Sequence, residues 1–190
     1  MVKFGEIERI FFSEINPVLP LPPIVAPLAS PFPTNLPSGG AVNLALVNVR
    51  TDHDRDGVLL SAVVNWSATF TPAAATTLNA PGFADVTFEL LRNGIVIYRV
   101  NQTIEQKGFP LVQTIQFTTA TSSFQIASLL YFDFIPTICR NQFHVYTLRA
   151  TNIALTNPQV PAGSTATTTA AAGAVTLVAE KTEACRTDSV

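Results

Sequence analysis

The main cluster of acidic side chains is the stretch DHDRDG at residues 52–57. Asp52, Asp54 and Asp56 alternate along it, and a glycine follows them. Carboxylates at alternate positions can supply the hard oxygen ligands that Ca²⁺ prefers, and the glycine permits a sharp bend. A complete EF-hand loop needs a glutamate at its twelfth position, which is Val63 here. We therefore interpret the stretch as a solvated turn between strands, with a weak calcium site of another kind as the alternative.

The other reactive residue types form no catalytic pattern. Cys139 and Cys185 are the only cysteines, and two widely spaced cysteines define neither a disulfide scaffold nor a metal site. They are either two free thiols or one disulfide, within the chain or between neighbouring subunits. No serine stands in a G-x-S-x-G setting, and no glycine-rich phosphate loop occurs. We therefore expect a protein that is not an enzyme and that has no catalytic residues.

Asp133 and His144 are titratable residues inside predicted strands. Asp133 is flanked by aromatic residues in the stretch YFDF, so partial burial is expected. A buried aspartate can act as a general acid or base, but the sequence offers Asp133 no catalytic partner. We interpret it as a hydrogen-bonding group at a turn or strand end. His144 alternates with Phe143 and Val145, which predicts a position on a sheet surface or at an interface.

Composition excludes several classes of function. The chain has 190 residues, enough for one domain with an extension. Its net charge of −2 offers no basic surface for nucleic acid. The longest uncharged run, residues 15–49, is interrupted by proline, so no membrane span is expected. The chain also shows no apolar core of a secretory signal, so export by the Sec pathway is not expected.

Strand patterns begin at about residue 41. In the stretch SAVVNWSATF, residues 61–70, apolar and polar residues alternate, and Trp66 lies in the middle of the apolar face as an expected core anchor. Asn93 and Gly94 separate two runs rich in β-branched and aromatic residues, which predicts a hairpin with a type I′ turn. The hairpin strands are residues 84–92 and 95–105, and the other predicted strands are residues 42–49, 58–70, 111–119, 123–132, 143–151 and 174–181.

The number and spacing of these strands predict the fold class. About eight strands separated by loops with Pro, Gly and Asn indicate an all-β antiparallel sandwich. A jelly roll is preferred over an immunoglobulin-like sandwich, whose strands and loops are usually shorter. The predicted domain spans residues 41–190. Within it, the Thr- and Ala-rich stretch at residues 156–173 is expected to be a surface loop.

Residues 1–40 differ from the predicted domain. Residues 1–15 are an apolar segment whose spacing fits a helix face or a strand equally well. Residues 16–40 contain eight prolines and no charge, which predicts a stiff extended connector. Because exposed apolar surface is costly, residues 1–15 are expected to dock on their own domain or on a neighbouring subunit. The expected docking residues are Phe4, Ile7, Ile10, Phe11, Phe12, Leu21, Ile24, Val25 and Phe32.

The connector also carries a resemblance to a known family. The stretches LPPI at residues 21–24, PF at 31–32 and LPSG at 36–39 resemble the proline-rich leader of collagen-like glycoproteins of the Bacillus exosporium. In that family the leader attaches the protein to the spore surface, and a collagen stalk and a tumour-necrosis-factor-like jelly roll follow. No Gly-X-Y repeat follows Gly40 here. The resemblance therefore points to stalkless relatives, namely exosporium basal-layer proteins and endospore appendage subunits.

The resemblance implies a structural subunit that assembles with itself. Appendage subunits of that group dock an N-terminal arm into the next subunit, so the implied partners are copies of the chain and other spore-surface proteins. The implied location is the spore surface, reached from the mother cell without a Sec signal. Two other functions stay open: a trimeric jelly-roll module that binds a carbohydrate or protein ligand, with calcium at residues 52–56, and a phage or viral shell protein.

Overall fold

The structure is a computed structural model that describes residues 7–14, 33–51, 57–106, 116–117, 119–135 and 142–182. Within these ranges the regular elements are all β-strands, so the all-β prediction is confirmed. The strands are β1 (Ile7–Glu14), β2 (Thr34–Asn35), β3 (Val42–Thr51), β4 (Gly57–Pro72), β5 (Thr76–Thr77), β6 (Phe83–Arg92), β7 (Ile95–Glu105), β8 (Gln116–Phe117), β9 (Thr121–Phe134), β10 (Gln142–Thr156) and β11 (Ala166–Thr182).

Two antiparallel four-stranded sheets pack face to face. The first has the order β1-β11-β4-β9, and the second has the order β3-β10-β6-β7. When the two-residue strands β2, β5 and β8 are set aside, eight long strands remain in the described chain. Among these, only the consecutive pair β6 and β7 stays within one sheet, and every other connection crosses between sheets. This is the strand order of a jelly roll, and the predicted fold class is confirmed.

The hairpin of β6 and β7 forms where the Asn-Gly pair predicted it. The φ angles are 49° at Asn93 and 83° at Gly94, as a type I′ turn requires. The backbone N–H of Asn93 also donates to the carbonyl of Val145 at 2.8 Å. The Asn93 side-chain oxygen accepts from the Val145 N–H at 2.8 Å. The turn is therefore attached to β10 as well as to its own two strands.

The core lies between the inner faces of the two sheets. Trp66 of β4 is 2% exposed and packs edge-on against Phe88 of β6, with ring centroids 5.8 Å apart. The sequence interpretation of Trp66 as a core anchor is thus confirmed. The indole Nε1 has no hydrogen-bond partner among the described residues. Phe70 and Tyr146 are also fully buried, so both sheets contribute large rings to the core.

The Thr/Ala-rich stretch is a strand, and its prediction as a loop is wrong for residues 166–173. These residues form the first half of β11. Thr168 pairs with Phe70 and Ala172 pairs with Trp66 on β4. Small side chains fit beside the two large rings, which are buried on the same inner face. Low complexity here therefore reflects packing next to bulky neighbours.

The end of the proline-rich connector is built into the sandwich. β2 pairs with Ala171 and Ala172 of β11. Leu36 follows directly, is 1% exposed and belongs to the hydrophobic core. Its N–H donates to the carbonyl of Ala170 at 3.0 Å, and the N–H of Gly39 donates to the carbonyl of Ile153 at 2.7 Å. The chain is therefore anchored to the core before β3 begins.

Candidate assembly site

One edge of β11 carries both N-terminal segments. β1 pairs antiparallel with this strand over seven residue pairs, from Ile7 with Thr182 to Glu14 with Thr176. β2 pairs with the same strand further along, also in antiparallel orientation. The two segments therefore lie in line along β11, and β1 is at the periphery of the first sheet.

The chain between these two segments is far longer than the gap it joins. Glu14 pairs with Thr176 and Thr34 pairs with Ala172, and these partners are four residues apart on β11. At the rise of a strand that gap is about 13 Å. Residues 15–33 are rich in proline, and an extended proline-rich chain of this length reaches about 60 Å. This part of the connector can therefore reach about four times as far as it must to join β1 and β2 within one chain.

Only part of the predicted docking set lies in described elements. Ile7, Ile10, Phe11 and Phe12 lie on β1. The other predicted docking residues and the remaining candidates lie outside the described residues: Phe4, Leu21, Ile24, Val25, Phe32, the cysteines Cys139 and Cys185, and the calcium candidates Asp52, Asp54 and Asp56. Within the described ranges, no group of three His, Cys, Asp or Glu could hold a metal ion.

A partly buried ion pair joins the two sheets at one end of the sandwich. Nη1 of Arg92 on β6 donates to both carboxylate oxygens of Asp133 on β9, at 2.9 and 3.0 Å. The Tyr146 hydroxyl on β10 donates to Asp133 Oδ2 at 2.8 Å. Burial and this hydrogen bond raise the pKa of Tyr146 well above its usual value, so the phenol stays neutral. Both carboxylate oxygens are thus engaged within the protein, as expected for a structural hydrogen-bonding group.

His144 is buried beside this ion pair and is 6% exposed, so its predicted position on a sheet surface or at an interface is wrong. Thr51 Oγ1 lies 3.3 Å from its Nε2, and Asn93 Nδ2 lies 3.5 Å from its Nδ1. An amide nitrogen only donates, so this arrangement fits a neutral imidazole with its proton on Nε2. Burial, and then the charge of Arg92, lower the pKa of His144 below 6.5, against a smaller opposing effect of Asp133. The ring is therefore an uncharged part of the cluster at neutral pH.

Acidification is expected to destabilise the protein through His144. Its pKa is lower in the folded chain than in the unfolded chain, so the unfolded chain binds more protons as pH falls through 6.5. The free energy of unfolding should therefore fall below pH 6.5, and His144→Gln should remove that part of the loss. Thermal denaturation at pH 7.5 and pH 5.0 checks this. Equal losses in the parent and the variant would contradict the assignment.

The outer face of β9 is apolar, which the sequence analysis did not identify. Five large apolar side chains, each 50–73% exposed, point away from the core. We call them the β9 stripe: Phe124, Ile126, Leu130, Phe132 and Phe134. The alternate residues Ala127, Leu129 and Asp133 of the same strand are buried. The more apolar half of this strand therefore faces solvent.

Polar contacts on both faces fix this orientation of β9. Asp133 reaches across the core to Arg92 and Tyr146 of the opposite sheet. On the outer face, the Ser122 and Thr69 hydroxyls lie 2.9 Å apart. A slip of one residue would exchange the faces and bring Asp133 to the surface without its partners. The register that satisfies Asp133 is therefore the register that exposes the stripe.

A groove borders the Phe124 end of the β9 stripe. It has a volume of about 740 Å³ and is lined by Pro33, Asn65, Phe124, Ile126 and Gly173, among others. Pro33 is the last residue before β2, so the connector enters the sandwich at this groove.

Comparisons with known proteins add no assignment to this picture. In the part of the chain that the structure describes, no helix is long and apolar enough to cross a membrane. No protein-family model matches the chain, and no curated protein matches its sequence.

Proposed function

We propose that the protein is a structural subunit that assembles with itself into a spore-surface fibre or an exosporium layer. In this proposal the N-terminal segment of one subunit docks onto the β11 edge of the next. The observation that supports it is the excess length of the connector between β1 and β2. The reference to the spore surface rests on the resemblance of the proline-rich connector to the exosporium leader.

Strand exchange between subunits would preserve the backbone contacts of the closed chain. A β1 strand from a neighbour can form the same seven residue pairs with β11 that the chain forms within itself. The connector reach of about 60 Å is close to the length of β11, whose 17 residues extend about 56 Å. A contact in which each subunit gives a strand to the next does not close on itself, so it propagates into a fibre.

A backbone test separates strand docking from other modes of assembly. We expect negative-stain electron microscopy of the protein, assembled at high concentration, to show fibres that the double variant F11P/F12P does not form. Neighbouring strand residues alternate in the direction of their N–H groups, so one of the two prolines removes a donor that faces β11. The control variant V18P/L19P adds the same two prolines to the connector and should leave fibres intact.

Other outcomes of this test are equally informative. Fibres in F11P/F12P would contradict docking by β1. Discrete trimers in place of fibres would favour the alternative function, a trimeric jelly-roll binding module.

The proposed location on the spore surface has its own test. An antibody to the protein should label the spore surface of the source organism. Labelling confined to vegetative cells would contradict it.

A further inference from the structure

We propose that the β9 stripe is a two-fold interface with a second copy of this chain. The stripe lies on the edge strand of the first sheet that is furthest from β1. The interface would therefore be separate from the strand-docking edge and does not depend on it. It predicts a lateral contact between subunits, which pairs monomers or joins fibres side by side.

The spacing of the stripe allows it to face a second copy of itself about a two-fold axis. A two-fold axis perpendicular to β9 near position 129 places Phe124 opposite the Phe134 of a second copy. It also places Ile126 opposite Phe132, and Ser128 opposite Leu130. In such an interface the same surface serves on both subunits, so each contact occurs twice. The small serine at the centre leaves room for the leucine that faces it.

Area and charge both favour a copy of the same chain as the occupant. From the 50–73% exposure of the five side chains, the stripe presents on the order of 600 Å² of apolar surface. That is close to the roughly 800 Å² per partner of a standard protein interface. The neighbouring outward residues of β4 are Leu59, Ser61 and Val63, so no charge interrupts the patch on that side. An uncharged apolar patch of this size marks an interaction site, and a second copy presents a matching apolar surface of equal size.

The connector of the same chain is too short to cover the whole stripe. Its ends are held at Glu14 and Thr34. Through the strand pairs of the first sheet, Glu14 lies level with Ser128 of β9, and Thr34 lies level with Gln125. The shortest path from Glu14 to Phe134, along the stripe to Phe124 and across to Thr34 is about 70 Å at normal strand spacings. The connector reaches about 60 Å. It can border the Phe124 end of the stripe at the groove, but at that reach it does not lie along all five side chains.

Sedimentation velocity of the full chain across a range of concentrations tests the interface. We expect a concentration-dependent dimer whose association constant falls at least 100-fold in the variant F124S/F132S. The variant I95S/F143S removes two side chains that are 70% and 69% exposed outside the stripe, and it should stay within about threefold of the parent. Ser128→Asp removes no core contact, yet it brings two like charges close to the axis, so it should also abolish the dimer.

Two measurements distinguish the lateral interface from the strand docking that would form fibres. If fibres form, sedimentation is measured in the F11P/F12P background, and microscopy of S128D should show single fibres in place of bundles. A chain that stays monomeric at all concentrations overturns the interface, as does self-association that neither stripe variant weakens. Monomers in which F124S/F132S only increases thermolysin cleavage within residues 15–33 would overturn it in favour of the connector as the occupant.

Discussion

Replacing Asp133 with alanine is expected to lower the free energy of unfolding by about 3 kcal/mol. Asp133 is 4% exposed and holds two partners from the opposite sheet, Arg92 and Tyr146. Removal of one member of a buried ion pair costs about 3–5 kcal/mol, because the remaining charge loses its compensation. The lower figure applies here because the Arg92 side chain is 31% exposed and water can reach it.

Thermal and urea denaturation measure this loss. For a chain of this size, 3 kcal/mol corresponds to a fall in Tm of about 6–12 °C. Asp85→Ala is the control, because Asp85 accepts a hydrogen bond from Thr103 at an exposed site and should matter little. Asp133→Asn retains the size of the side chain and should lie between the two. If Asp133→Ala were as stable as Asp85→Ala, the ion pair would not hold the sheets together.

The second large effect is expected at Leu36. Leu36→Ala should destabilise the protein by about 3 kcal/mol, since a large-to-small change in a buried site costs 2–5 kcal/mol. Leu36 is 1% exposed although it lies in the proline-rich connector. The matched control is Leu46→Ala on β3, where the side chain is 51% exposed. Urea denaturation of both variants compares the same chemical change at a buried and at an exposed position.

The burial of Leu36 also determines where a truncation can end without loss of stability. Removal of residues 1–32 leaves β2 and Leu36 in place, whereas removal of residues 1–40 also deletes this anchor and its hydrogen bonds. We expect the longer deletion to be the less stable of the two by an amount similar to that of Leu36→Ala. Equal stability of the two truncated chains would show that Leu36 contributes little.

Local sequence signals predicted much of the fold. The Asn93–Gly94 turn has a backbone requirement that few residue pairs meet, so its hairpin was predictable with its bounds. Trp66 lies in the middle of a period-two pattern, which was enough to place it in the core. The Thr/Ala stretch carried a similar but weaker alternation. Its partners Phe70 and Trp66 are about 100 residues away, and nothing local reveals that they need small neighbours.

The β9 stripe could not be predicted from local pattern. A period-two reading of this strand would place the more apolar set, which contains Phe124 and Phe132, inside. The opposite set faces inward because Asp133 finds Arg92 and Tyr146 there, and both residues are distant in sequence. Whether an aspartate is buried or exposed depends on such partners, and a single sequence does not display them. The docking of Leu36 was hidden for the same reason.

The excess length of the connector has a consequence for where assembly can occur. A strand on a tether meets its own binding edge at an effective concentration that the length and stiffness of the tether set. A strand from another molecule must match that local concentration before it competes on equal terms. If strands exchange as proposed, each chain therefore satisfies its own edge in dilute solution, and exchange begins only where the protein is densely packed. The connector would therefore prevent assembly until the local concentration of subunits is high, as it becomes when they accumulate at a surface.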